Sequence, residues 1–174
     1  NHILPPRLAT ALTNPTNPPT APTIVNADME LTTGWTGVAG SRSSVQAHVG
    51  TYSWRLYTGA GAADIVYQDF TDYVRGAQYT LTMWVWANSI NLARISINDG
   101  VTTTYSSYHG SGAQWQQLTV TKILSVAATQ LRIQMDTANN ANTIYFDDAT
   151  ITSDTTMTIG TPIIFANFNG NKYV

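Results

Sequence analysis

General acid–base hydrolysis by carboxylates calls for two carboxyl groups facing each other across a cleft. This chain of 174 residues offers one glutamate, Glu30, and aspartates that fall mostly in turn-like stretches, so no convincing pair emerges and no enzyme is expected. The three histidines, His2, His48 and His109, stand in unrelated segments without the spacing of zinc ligands, and cysteine is absent. No Gly-x-Ser-x-Gly elbow occurs. The glycine pairs Gly37/Gly40, Gly59/Gly61 and Gly110/Gly112 lack the strand-loop-helix setting of a phosphate cradle. What remains is the chemistry of recognition, and it centres on two indoles in the stretch YTLTMWVWA, residues 79–87.

In an extended strand, alternate side chains face opposite ways. Tyr79, Leu81, Met83 and Val85 then share one side, uniformly apolar. Thr80, Thr82, Trp84 and Trp86 share the other, where two residues that suit water precede two that do not. Indoles outside a core mark a recognition surface for a ligand, a contact with another protein surface, or a mistaken assignment of the faces.

The elements that must position these residues are strands. Short apolar or alternating runs recur at TIVNADMEL, YSWRLYT, DIVYQDF, YTLTMWVWA, LARISIN, VTTTYSSYH, WQQLTVTKI, QLRIQMD and TIYFDDATI, punctuated by Gly, Asn, Ser and Asp. No stretch has the period of an amphipathic helix. The expected fold is all-β, an antiparallel two-sheet β-sandwich of jelly-roll type spanning residues 23–152. Residues 1–22 read as an extended Pro/Thr-rich N-terminal arm or linker, and 153–174 as a C-terminal tail or added strand. A segment that cannot bury itself is ordered only when something holds it. The arm is therefore expected to dock on other protein subunits, the alternative being that it lies along its own domain.

Only 10% of residues are charged and the net charge is −2, which gives no electrostatic footprint for nucleic acid or an acidic membrane surface. The longest apolar runs fall far short of a membrane span.

The ordered landmarks IVNADMEL, Gly34-Trp35, GTYSWRLY, VYQDF, GAQYTLTMWVWA, GAQWQQLTVT and IYFDDATI resemble the sandwich carbohydrate-binding modules of families four, nine and twenty-two, over roughly residues 23–152. The resemblance implies a non-catalytic jelly roll that binds polysaccharide through exposed aromatic side chains. Related domains occur in tail and capsid-decorating proteins of bacterial viruses.

It also implies that the Tyr79-to-Val85 side faces between the sheets, which leaves Trp84 and Trp86 outside as a platform for a pyranose ring. Arg94, Arg132 and Gln134 alternate with core-like Ile95, Ile97, Leu131, Ile133 and Met135 and would supply hydrogen-bond donors. Tyr105 and Tyr108 are further ligand-binding candidates. Trp35, Trp54 and Trp115 occupy landmarks that resemble packing positions. One structural calcium ion is implied, with Glu30 and Asp147 as foremost side-chain ligands, Asp28 beside them, and carbonyls from the loop around Gly50 and Thr51; the alternative is that Asp147 or Asp148 accepts hydrogen bonds from turn amides.

Two roles follow. The first is a structural accessory of an extracellular assembly, foremost a bacteriophage virion, with the arm docked and the sandwich displayed on the virion surface towards a polysaccharide or cell-surface glycan. The second is a carbohydrate-binding module of a secreted polysaccharide-degrading enzyme, with the Pro/Thr stretch as a linker.

Overall fold

The computed structural model describes residues 20–37, 40–57, 65–138 and 143–154. Within them nine strands and no helix form: β1 (Gly40–Ser43), β2 (Ser53–Tyr57), β3 (Ile65–Phe70), β4 (Gln78–Ala87), β5 (Ala93–Asn98), β6 (Thr103–Tyr105), β7 (Gln114–Ile123), β8 (Leu131–Thr137) and β9 (Thr143–Asp154). They pair antiparallel into a five-stranded sheet, order β1-β2-β9-β4-β7, and a four-stranded sheet, order β3-β8-β5-β6. This is the expected sandwich.

Alternation explains why the sheets stack. Tyr79, Leu81, Met83 and Val85 on β4 are wholly buried, as are Ile95 and Ile97 on β5, Leu131, Ile133 and Met135 on β8, and Phe146 on β9. Trp35 and Trp54 join the same cluster. Each fully buried large side chain stabilises the fold by about 1.5–3 kcal/mol, so the inner faces have one way to be satisfied, against each other.

Two segments depart from the expected strands. TIVNADMEL forms turns, because Asn26 and Met29 adopt left-handed backbone angles (φ 56° each) and Asn26 organises the chain around itself. Its amide donates to the carbonyls of Leu31 and Thr33 and accepts from the Leu31 N–H, while the Trp35 indole N–H donates to its carbonyl. In VTTTYSSYH only Thr103–Tyr105 is strand. At the other end, β9 runs through Asp154 and carries a bulge at Asp148 (φ 46°), where its register with β4 shifts. The arm at residues 1–19 and the tail at 155–174 lie outside the described residues.

Candidate functional site

The four-stranded sheet turns its second face outward, and the register lines polar and aromatic side chains up in rows across it. One row runs Tyr67 (β3), Gln134 (β8), Ser96 (β5), Tyr105 (β6); the next runs Asp69, Arg132, Asn98, Thr103; Asp136 stands opposite Arg94. Tyrosines therefore occupy the two edge strands while smaller polar groups occupy the middle. With adjacent strands about 4.8 Å apart, the edges stand about 14 Å from each other.

The middle is a buried polar floor, with Ser96, Gln134 and Asp136 at 0%, 4% and 5% exposure. The Ser96 hydroxyl donates to Asp136 at 2.5 Å, and burial pushes the Asp136 pKa upward against that bond and the nearby Arg94 charge.

Each wall pairs a tyrosine with an arginine. The Arg132 guanidinium lies 3.7 Å from the Tyr67 ring centre and forks onto Asp69 through two hydrogen bonds of 2.6 and 2.7 Å, which hold its pKa above the usual arginine value. Arg94 lies 3.5 Å from the Tyr105 ring centre and 4.8 Å from that of Tyr108. Beyond Asn98 and Thr103 the face opens into a polar depression of about 500 Å³ that Gly100, Thr102, Thr129 and Gln130 also line. Over this closed floor the walls present guanidinium N–H groups, phenolic hydroxyls, the part-exposed Asp69 carboxylate and tyrosine rings, groups that a polyhydroxylated ring can engage.

Of the sequence candidates, Arg94, Arg132, Gln134 and Tyr105 meet here, with Tyr108. Sequence reasoning passed over Tyr67, Asp69, Ser96 and Asp136. Alternation contained the signal for two of them: Asp136 continues the Arg132-x-Gln134 series, and Ser96 lies between inward Ile95 and Ile97.

Trp84 and Trp86 are elsewhere. They belong to β4 of the five-stranded sheet, and since both sheets bury their inner faces in one core, these indoles stand on the opposite outside of the sandwich from Arg94 and Arg132. Both are half-buried. Trp84 is covered by His48 from the 44–52 loop, stacked at 4.0 Å between ring centres, and Trp86 meets Tyr145 edge-on at 5.5 Å. Trp115 also lies on this outside, directly across from Trp86 and edge-on to His48, and is not the core residue its landmark implied. A sugar platform uniting Trp84 and Trp86 with Arg94, Arg132 and Gln134 is therefore not formed. Further along β4 this outer face carries a threonine array, with Thr82 opposite Thr119 and Thr150, and Thr80 opposite Thr121 and Thr152.

The proposed calcium ligands meet the 44–52 loop. Glu30 accepts the Thr51 and Tyr52 N–H groups at 2.7 and 2.9 Å, which lower its pKa, and a Cβ on Gly50 would collide with its carboxylate. Asp147, wholly buried, accepts the N–H groups of His48 and Asp148 at 2.8 and 2.9 Å. Its pKa is pushed up to about 6, first by burial, which outweighs the His48 N–H, and also by the Asp148 charge. Asp28 is exposed and its carboxylate sits over the Glu30 N–H at 3.5 Å. Among the described residues no three His, Cys, Asp or Glu side chains gather around one point. Both carboxylates already accept backbone N–H groups of this loop; calcium here is a proposal, in which Glu30 and Asp147 would be the side-chain ligands with loop carbonyls, without Asp28.

No protein-family model matches the sequence, and no curated protein matches it. Solved structures do. A family 61 carbohydrate-binding module in complex with β-1,4-galactotriose aligns with 76% of this chain and 99% of its own at 12% identity and TM-score 0.58. The C-terminal family 22 module of Clostridium thermocellum Xyn10B aligns over 72% and 90% at 21% identity and TM-score 0.59. The enzymatically active domain of tailspike protein 4 from bacteriophage CBA120 aligns over 78% of this chain and 22% of its own, at 14% identity and TM-score 0.58. The fold is the galactose-binding-like jelly roll found in carbohydrate-binding modules of families 16, 22 and 61 and in a phage tailspike.

Proposed function

We propose that this chain is a non-catalytic carbohydrate-binding module, displayed outside the cell, that holds a polysaccharide in the trough between Tyr67 and Tyr105. The observation that carries this reading is the row of Tyr67, Gln134, Ser96 and Tyr105, flanked by Arg132 and Arg94, on an outer face of a fold shared with modules solved around oligosaccharides. Ser96 and Asp136 of the floor are already bonded to each other, and the wall arginines already lie over tyrosine rings. Little side-chain ordering is left for the ligand to impose.

The setting has two readings. A module attached to a polysaccharide-degrading enzyme is supported by the similar family 22 module that accompanies a xylanase. A virion accessory, with the Pro/Thr arm docked on other subunits, is supported by the similar tailspike domain. Most of the similar structures are modules of the first kind, so the enzyme-attached setting has at least as much support.

The test is affinity electrophoresis through gels containing xylan, β-1,4-galactan or acidic polysaccharides, with Arg132→Ala, Tyr105→Ala and Trp84→Ala beside the parent. Retention that falls at least tenfold for the first two and is unchanged for the third is expected. A parent protein that no polysaccharide retards refutes the reading.

A further inference from the structure

The two arginines of the trough differ in one respect. Arg132 is neutralised, its fork filled by Asp69. Arg94 has no such partner: among the described residues, no carboxylate oxygen lies within ion-pair distance, 4.0 Å, of its guanidinium. Its neighbour across the strands, Asp136, is buried with one oxygen taken by the Ser96 hydroxyl. The guanidinium carbon lies over the Tyr105 ring at 3.5 Å and 4.8 Å from the Tyr108 ring centre, contacts with the π faces that leave its N–H groups free to donate. A planar cation held this way, with its donor edge unfilled, matches a carboxylate in a two-pronged bond. Tyr105 and Tyr108, 44% and 37% exposed, place phenolic hydroxyls beside it for the hydroxyls of the same sugar.

Resting on the glycan reading above, we infer that the preferred ligand is an acidic polysaccharide, with a uronate carboxylate seated on Arg94. A carboxylate elsewhere along the trough would meet the Arg132–Asp69 pair, whose charge is already balanced, so discrimination falls to this one residue.

The experiment compares polygalacturonate with its fully methyl-esterified form, which keeps the backbone and removes the charge, alongside alginate, neutral xylan and neutral galactan. At low salt the parent protein should bind an acidic polymer at least tenfold tighter than the neutral ones, and de-esterified above esterified galacturonan, with the advantage shrinking as salt rises. Arg94→Gln should abolish the advantage, and Arg94→Lys, which keeps the charge without the fork, should keep part of it. Near-UV circular dichroism of both variants checks that the sheet is intact, and the comparison on the parent protein needs neither variant. Equal binding of acidic and neutral polymers overturns this inference and leaves the glycan reading standing; binding of none refutes both.

Discussion

The His48 imidazole lies flat on the Trp84 indole, ring centres 4.0 Å apart and planes 16° from parallel. The same histidine contacts Asp148 through Nδ1 at 2.6 Å and donates its backbone N–H to Asp147, so one loop residue joins β4 to the bulge of β9. Trp84 is thus part of a clasp between strands. Trp84→Ala should lower stability by about 3 kcal/mol, the low end for removing a large aromatic group, in urea titration. His48→Ala should uncover the indole, giving a red-shifted tryptophan emission more accessible to acrylamide.

A second clasp is electrostatic. Asp99, 1% exposed, accepts the N–H groups of Val101, Thr102 and Ser125 and lies 3.4 Å from the Lys122 ammonium. Burial pushes its pKa up, but these N–H groups and Lys122 together pull it down further, to about 2. A carboxylate with a depressed pKa stabilises the fold above its unfolded value, near 3.9, and that contribution disappears as pH falls through the folded one. Roughly 2 kcal/mol should therefore be lost between about pH 4 and pH 2. Thermal melts across that range should show a smaller loss for Asp99→Asn, which should itself cost about 3 kcal/mol at neutral pH by leaving Lys122 buried and unpaired.

Asp69 tests how the trough is held. Its pair with Arg132 is partly exposed and should contribute under about 1 kcal/mol to stability. Asp69→Ala should leave the melting temperature nearly unchanged while weakening polysaccharide retention several-fold, because Arg132 loses its fixed orientation. Equal losses of both would make the pair structural.

The calcium proposal is tested by thermal melts with calcium and with chelator. Binding at a hundredfold excess over the dissociation constant adds about 2.7 kcal/mol. Calcium should raise the melting temperature by several degrees, and Glu30→Gln or Asp147→Asn should remove the increment; identical melts would dismiss the ion.

Gly50 adopts a left-handed angle, φ 77°, and packs on the Glu30 carboxylate. Gly50→Ala should cost about 1–3 kcal/mol in denaturant unfolding, from backbone strain and displacement of Glu30.

Local alternation made much of this legible. It placed Tyr79, Leu81, Met83 and Val85 inside, and it gave Arg94, Arg132 and Gln134 the side opposite their isoleucine neighbours. The same parity also sets Trp115 with Gln117 and Thr119, away from buried Leu118 and Val120, although its landmark pointed to the core. Sheet membership was the illegible part. Whether Trp86 and Arg94 share an outside depends on β4 pairing with β9 and β7 and on β5 pairing with β8, contacts made across long stretches of sequence that no local period encodes.

The strand order has a consequence for synthesis. β9 is last in the described chain yet sits second from neither edge, but in the middle of its sheet, between β2 and β4. Until the ribosome releases it, β2 and β4 both present open edges, and the nascent product is a template for aggregation more than a partial domain. Such long-range closure makes for slow maturation, and chains that stop short of residue 143 should need chaperones to stay dispersed.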